Sequence, residues 1–424
     1  MPAFLSSLTD VPREDLSAVL GGDGPSCPCL REWLARVPDP RSPLGRWHPL
    51  EFVLALAVCA FTAAGHDSPS AIADWAAGCS QQVLAALGGR RDPWTGRIRP
   101  PCERTFRRVL GKADDPSVND AVHGYLDAMP ASGPGRLAEA TRHEREQRRA
   151  AALAREPVPG LLPQAATDGK ALRGATRPDG TRAHLLSAFH VGEGRTLAQR
   201  EVGEKTNEIP ELEPLLAGLD LTGMVVTLDA LHAQRDAAAL ITGRAGHYIM
   251  VVKANQPTLL AQAAAALAGT DDQFKDSSWA EEGKGHGRRE RRSIRTAPAA
   301  GIDWPGAAQV MRIRRDAGPT HGHWTSKEVA YAITSLPPGL AGPRHLATHA
   351  RLHWHVENKE HYVRDVTFRE DAQKARTGSM PSNLAAIRNL VTGAFRKAGF
   401  ANIAHARRYH SRDDQRILAL YGYA

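Results

Sequence analysis

The stretch His353-Trp354-His355-Val356-Glu357-Asn358-Lys359-Glu360-His361 runs on through Arg364 and Asp365 to Arg369-Glu370-Asp371, and it organises the rest of the chain. It follows a helix start, with Gly342 before Pro343 at the first helical position and no breaker until after Asp371. Helical spacing puts His353, Glu357 and His361 on one face, four residues apart on either side of the Glu. A carboxylate flanked by imidazole and guanidinium groups suits a metal or a phosphate better than it suits a core. Taken alone, such a charge-rich segment is more often a solvated helix face.

The residues around it lean basic. From Arg344 to the C-terminus there are 14 basic and 7 acidic side chains, most of the whole chain's formal net charge of +8. That balance fits a polyanionic partner beside a carboxylate site. Charge alone fits RNA, a heparin-like polymer or a membrane surface equally well. At 424 residues, 42% hydrophobic and 24% charged, the chain has room for two or three domains and a substantial core. Cys27, Cys29, Cys59, Cys79 and Cys102 are an odd number, which argues against a disulfide framework. Cys27-Pro28-Cys29 has no second pair at zinc-finger spacing. No basic-then-apolar leader is visible, and the most apolar run, Leu50–Ala64, is short of a membrane span. A cytoplasmic location without membrane contact is expected.

Upstream, residues 1–28 lack periodicity and are expected to be loosely ordered. A helical region is expected over 29–130. Pro49 opens its apolar helix, and Ser68-Pro69 is an N-cap followed by Pro at N1. In Glu103–Leu110, Phe106, Val109 and Leu110 form an apolar stripe that leaves Arg104, Arg107 and Arg108 outward. This resembles a recognition helix of a helix-turn-helix unit, and an amphipathic helix with a basic face is the equal alternative. A linker is expected over 131–160, with Thr141–Glu156 as an exposed helix.

From Leu161 the pattern changes to strands alternating with helices. Ala183–Val191 and Thr196–Val202 flank a Gly192-Glu193-Gly194 hairpin, and Met224–Leu228 and His247–Lys253 read as buried strands. Pattern alone makes this an α/β fold. Residues 270–340 interrupt the alternation with Trp279, Trp304, Trp324 and the basic run Lys284–Arg292, and read as a β-rich insertion. Ser382 is expected to cap a helix ending at Gly399, and 401–424 are expected to be a tail. There is no internal repeat.

Two more carboxylates stand out. Asp168 lies in a strand, in Thr167-Asp168-Gly169-Lys170, and Asp229 closes a buried strand, in Leu228-Asp229-Ala230-Leu231-His232. A strand-end Asp is more often a turn residue or a cap, but a carboxylate at the carboxyl end of a strand is also where α/β sheets place ligands. With Lys253-Ala254-Asn255-Gln256 and the 353–371 stretch, the set closely resembles the signatures of DDE transposases of bacterial insertion sequences. The most similar branch is the ISAs type, which includes the H-repeat proteins associated with Rhs elements. Tyr362 stands where that pattern has a second Trp, and Arg364 where it has Leu.

The resemblance implies an RNase H-like catalytic domain over 161–400 that carries the insertion and follows an all-α DNA-binding region. It implies Asp168, Asp229 and Glu357 as catalytic carboxylates holding two Mg²⁺ or Mn²⁺ ions, with direct in-line attack on phosphodiesters. It implies double-stranded DNA as partner, both terminal inverted repeats and target, with a homodimer in the synaptic complex at the bacterial nucleoid. Lys253, Arg351, His353 and Arg364 become candidates to bind phosphate, and Arg104, Arg107, Arg108, His286, Arg288 and Arg289 to contact DNA. Among the tryptophans, Trp304 is expected in the core, while Trp324 is the candidate to stack on a displaced base. Three other functions compete. A zinc hydrolase lacks its HEXXH motif here. A non-catalytic DNA-binding descendant would have no need of intact carboxylates. A nuclease would cut without joining.

Overall fold

A computed structural model describes residues 28–44, 46–130, 158–177, 179–203, 208–285 and 287–423. The expected loose N-terminus, the expected helix over Thr141–Glu156, most of the expected linker, and His286 lie outside the described residues.

The site is framed by a mixed sheet of nine strands in the order β3-β2-β1-β4-β5-β9-β8-β7-β6. Strands β1 (Gln164–Thr176), β2 (Arg182–His190) and β3 (Arg195–Glu201) form an antiparallel meander. Strands β4 (Val225–Leu228) and β5 (His247–Val252) join β1 in parallel. Parallel neighbours need crossovers, and the short helices α7 (Leu212–Leu216) and α8 (Arg235–Gly243) provide them. With α9 (Pro257–Ala266) they bury one face of the sheet through Val226, Leu228, Tyr248 and Met250.

The β-rich insertion is part of this sheet. Strands β6 (Ser278–Gly285), β7 (Arg288–Pro298), β8 (Gln309–Pro319) and β9 (Ser326–Thr334) are antiparallel, and β9 pairs with β5. Trp304 is buried among the residues of the first face, and Trp279 packs against Ile294 and its neighbours on the other.

Along that other face lies the segment that opened the sequence analysis. Helix α10 (Pro343–Leu352) starts where expected, with Gly342 as N-cap. The single regular helix expected from there through Asp371 is not what forms. A turn at 353–354 interrupts it, Glu357–His361 and Val363–Thr367 are wound as π-helix, and Arg369 closes the segment in the left-handed region at φ 52°. The wider π turn lets Val356, Glu360, His361 and Arg364 all bury against the body of the protein. Phe368 and Glu370, on either side of Arg369, are both buried, so the chain reverses through an exposed, strained residue.

The helical elements α1 (Leu30–Leu34), α2 (Leu50–Thr62), α3 (Pro69–Gly78), α4 (Gln81–Ala86), α5 (Glu103–Lys112) and α6 (Asp115–Ala128) share one hydrophobic core with α11 (Met380–Lys397), α12 (Ile403–His410) and α13 (Asp414–Leu420). Two expectations need correcting here. Residues 401–424 hold two packed helices, because Ile403, Ala406, Ile417, Leu418 and Tyr421 complete that core. Ser382 does not cap α11, which begins two residues earlier at Met380. Ser382 is buried inside it and donates to Asp115.

The end of the π segment is tied down by ions. Arg364 donates to Glu370 at 2.9 and 3.0 Å and pairs with Glu360 at 3.4 Å, and Arg388 of α11 reaches Glu370 at 2.8 Å. Burial pushes the Glu370 carboxyl up, but Arg364 and Arg388 outweigh it and hold it below its ordinary range. Removing one partner from such a buried set leaves charges without compensation. Glu370→Ala is therefore expected to lower the unfolding free energy by about 3–5 kcal/mol, read as a fall in the urea midpoint. A loss under 1 kcal/mol would show that water or Glu360 takes over both guanidinium groups.

Candidate active site

Period-two alternation along the sheet decides which strand residues meet the π segment. On β1 the inward set is Gln164, Ala166, Asp168 and Lys170, and around β4 it is Val225, Thr227 and Asp229. Gln164 exchanges hydrogen bonds with His349 on α10, through its side-chain NH₂ to the His349 carbonyl and through Nδ1 of the ring. Ala166 packs with Val356, and Thr227 pairs with Nδ1 of His353 at 2.9 Å. Lys170 donates to Asp365 at 2.7 Å. Between these contacts, Asp168 meets Glu357 and His361.

Asp168, Glu357 and His361 each offer a ligand atom within 4.8 Å of the others. His361 Nδ1 lies 3.3 Å from Glu357 Oε2 and 3.6 Å from Asp168 Oδ2. The buried Nε2 of His361 has no hydrogen-bond partner among the described residues. Burial raises the Asp168 carboxyl to about 7; His361 opposes this, while the negative charges of Glu357 and Asp229 add to it. Hydrogen bonding to His361 holds Glu357 below its ordinary range. Asp229 accepts the backbone N–H groups of Leu231 and His232 on Oδ1, at 3.0 and 3.3 Å. Its other oxygen has no part in those bonds. Carboxylates crowded in this way are stabilised by a shared proton or by a cation. Two carboxylates and an imidazole within reach of one another, with the charge of Asp229 near enough to act on Asp168, are donors that fit a divalent ion.

The remaining sequence candidates separate clearly. Arg364 is 1% exposed with its guanidinium committed to Glu370 and Glu360, so it is unavailable to DNA. The sequence could not show this, because Glu360 alone stands at helical spacing and Glu370 arrives only through the chain reversal at Arg369. Arg351 is half-buried and donates to Glu281 on β6 at 2.7 Å. Lys253 is exposed just after β5. Arg104, Arg107 and Arg108 are exposed along α5, with Arg107 also paired to Glu103. Arg288 is exposed, and Arg289 lies 4.2 Å over the Trp324 ring at the β8–β9 turn. Trp324 belongs to none of the hydrophobic core clusters.

Sequence reasoning left some residues without a role. His361 shares the face of Glu357 and enters the sequence reading only as a zinc ligand of a hydrolase, with His353. Glu208, His184 and His232 were passed over, although His232 follows Asp229 by only three residues.

Comparison with known proteins gives this arrangement its class. Residues 141–392 match the family described as Transposase DDE domain, and residues 31–126 match the family described as DDE_Tnp_1-associated. The chain belongs to the DDE transposase family. The H repeat-associated putative transposase YhhI of Escherichia coli is 32% identical over 237 residues, which cover 53% of this chain and 62% of that relative. The putative transposase YncI of Escherichia coli is 27% identical over 386 residues, 87% of each chain. A protein of the dhlA 3′ region of Xanthobacter autotrophicus is 27% identical over 308 residues, 70% of this chain and 91% of that one. A solved piggyBac transposase synaptic complex with hairpin DNA aligns over 88% of this chain and 80% of its own at 11% identity, with a TM-score of 0.34, too slight a likeness to carry an argument. No helix of the described residues is long and apolar enough to cross a membrane.

The raised Asp168 has a consequence for stability. A carboxyl raised on folding binds its proton more tightly in the native state. Its contribution is therefore complete below the unfolded value, near 3.8, and is lost as pH rises through about 7. In chelator, Asp168→Asn is expected to raise the melting temperature relative to wild type at pH 8, with the difference shrinking toward pH 4. A difference that does not change with pH would mean Asp168 is not held up in this way.

Proposed function

We propose that this protein cleaves DNA at the ends of its own element and joins those ends to target DNA. The convergence of Asp168 and Glu357 from distant parts of the chain, with Asp229 beside them at the end of β4, carries this reading. In it, strands β1 to β5 with their helices are an RNase H-like catalytic core, and the insertion and the helical region hold DNA. A dimer would bring two ends together.

Bound divalent ions, ordinarily Mg²⁺ in pairs, would activate an attacking oxygen and stabilise the leaving one. Asp168, Asp229 and Glu357 would hold them. His361 lies between two of these carboxylates and sets their spacing, and the Thr227–His353 contact fixes the start of the π segment against β4. Water would attack the phosphorus at the element boundary and release a 3′-hydroxyl. That hydroxyl would then attack a target phosphodiester in line, displacing the target's own 3′-oxygen as a 3′-hydroxyl, so no side-chain nucleophile is required. Lys253, exposed just after β5, would meet phosphate, as would Arg104, Arg107 and Arg108, exposed on α5. Exposed Arg288 and the half-buried Arg289–Trp324 pair would form a basic and aromatic contact for the DNA end.

A combined cleavage and strand-transfer assay on duplexes carrying any inverted repeats found to flank the gene tests this directly. Asp168→Asn, Asp229→Asn and Glu357→Gln are each expected to abolish cleavage while leaving DNA binding within about twofold, since each replaces an anionic ligand by a near-isosteric amide. Any of the three that retains Mg²⁺-dependent cleavage has no place in the catalytic set. Cleavage without joining would make the protein a nuclease.

Trp324→Ala is expected to impair end processing on fully paired duplexes more than on duplexes with the terminal base already unpaired. A stacked base contributes roughly 1–3 kcal/mol by alanine substitution. Equal loss on both substrates, or only a lower melting temperature, would assign Trp324 to the fold.

A further inference from the structure

On the face of β1 opposite Asp168, a second polar cluster surrounds Glu208. Its Oε1 accepts from Nε2 of His184 on β2 at 2.7 Å, and its Oε2 from Nε2 of His232 at 3.0 Å. His232 is 1% exposed and lies in the short loop that Asp229 begins. Burial pushes the Glu208 carboxyl up, but the two imidazoles outweigh it and hold it down, at about 2. Gly169, next to Asp168, closes against this cluster: a Cβ there would collide with Glu208 and His184.

The same loop is held from the other side. Asn255 donates to the Ala230 carbonyl at 2.6 Å, and Gln256 to the Ala233 carbonyl at 2.9 Å. Within the loop, Asp229 itself bonds the N–H groups of Leu231 and His232. The position of Asp229 therefore depends on where His232 is pinned. The Glu208 pair is the side-chain contact that pins it to β2, and through Gly169 to the strand that carries Asp168.

We propose that Glu208 is a positioning residue for Asp229. It sets the distance between the two strand-borne carboxylates by clamping His232 and His184, and it touches neither DNA nor ion. This rests on the reading of Asp168, Asp229 and Glu357 as the cation-holding set. It also gives the Lys253-Ala254-Asn255-Gln256 motif a structural task, since two of its side chains grip the same loop from across the sheet edge.

The test measures Mn²⁺ binding to the whole protein by calorimetry, DNA binding at fixed salt, and end cleavage. Groups that orient a metal ligand typically contribute about 10–100-fold to affinity or activity. Glu208→Gln and Glu208→Ala are expected to weaken Mn²⁺ binding and cleavage by about that factor and to leave DNA affinity within about twofold. A purely structural role would lower the melting temperature without moving Mn²⁺ affinity. If Glu208→Ala fails to fold, His184→Gln, which removes one arm of the clamp, is expected to give a smaller loss in the same direction. Unchanged Mn²⁺ affinity in folded Glu208→Gln and His184→Gln overturns the proposal. Asp229→Asn in the same experiment separates the two readings. If it and wild type bind Mn²⁺ alike, the cation-holding set itself is wrong, and the clamp falls with it.

Discussion

The register in which the 343–367 segment lies across β1 and β4 governs this structure. Gln164 against His349, Ala166 against Val356, Thr227 against His353 and Lys170 against Asp365 are successive contacts of one seam. Asp168, Glu357 and His361 fall inside it. Side chains on a strand alternate faces, so a slip of one residue on β1 would turn Asp168 away and bring Gly169 to the helix. The apolar contacts alone would tolerate small slips, because Ala166 and Val356 have little shape to specify. The polar contacts would not, since each slip leaves Gln164, Thr227 or Lys170 buried without its partner. A crowded carboxylate pair is itself unfavourable without a cation, so the surrounding polar contacts must hold it in place.

The far end of the seam joins that site to the helical layer. Arg364 and Arg388 share Glu370, and Phe368 beside it belongs to the hydrophobic core built by α2, α5, α6 and α11. Arg407 of α12 reaches back to Asp67 and to the carbonyls of Phe61 and Ala63 near the end of α2. The basic helix α5 and the carboxylates are thus parts of one packed body. An ion-pair cluster of this kind adds little net stability over an apolar core, but a wrong arrangement is costly. It is suited to holding one arrangement where geometry matters more than stability.

What the chain disclosed in advance followed the reach of local rules. The β-branched runs at Val225–Leu228 and His247–Val252, the Gly192–Gly194 turn and the Ser68-Pro69 helix start are each set by neighbours within a few residues, and each formed. Asp168, Asp229 and Glu357 could be singled out because their surrounding residues form specific patterns. Arg364 misled, because on a regular helix a residue seven beyond Glu357 shares its face and would stand beside the carboxylates, free to meet phosphate. The π winding and the reversal at Arg369 turn it inward. Glu208 was invisible for a different reason. Its partners lie 24 residues away on either side, and nothing in the local sequence distinguishes a Glu that receives two imidazoles from one that faces solvent. The packing of 401–424 was missed because short helices with many polar residues carry weak periodicity, and only the shared core reveals which faces are buried.

The insertion supports the functional reading through an energetic oddity. Across the β7–β8 ladder, Arg292 faces Arg315 and Arg295 faces Arg312. Like charges directly opposite in a sheet repel, and a sheet selected only for stability would avoid two such rungs. Glu290 relieves the first by bonding both arginines, and Asp271 answers Arg295 in the second. Arg312 keeps its buried Nε without a hydrogen-bond partner among the described residues. The two rungs face opposite sides of the sheet, so the repulsion is not confined to one patch. Under the proposed function, a polyanion against the face that carries Arg292 and Arg315 would offset the repulsion of that rung. Because β9 extends the sheet from β5, and Arg351 of α10 donates to Glu281 on β6, the insertion is joined to the strands and the helix that carry the site by hydrogen bonds as well as by the chain.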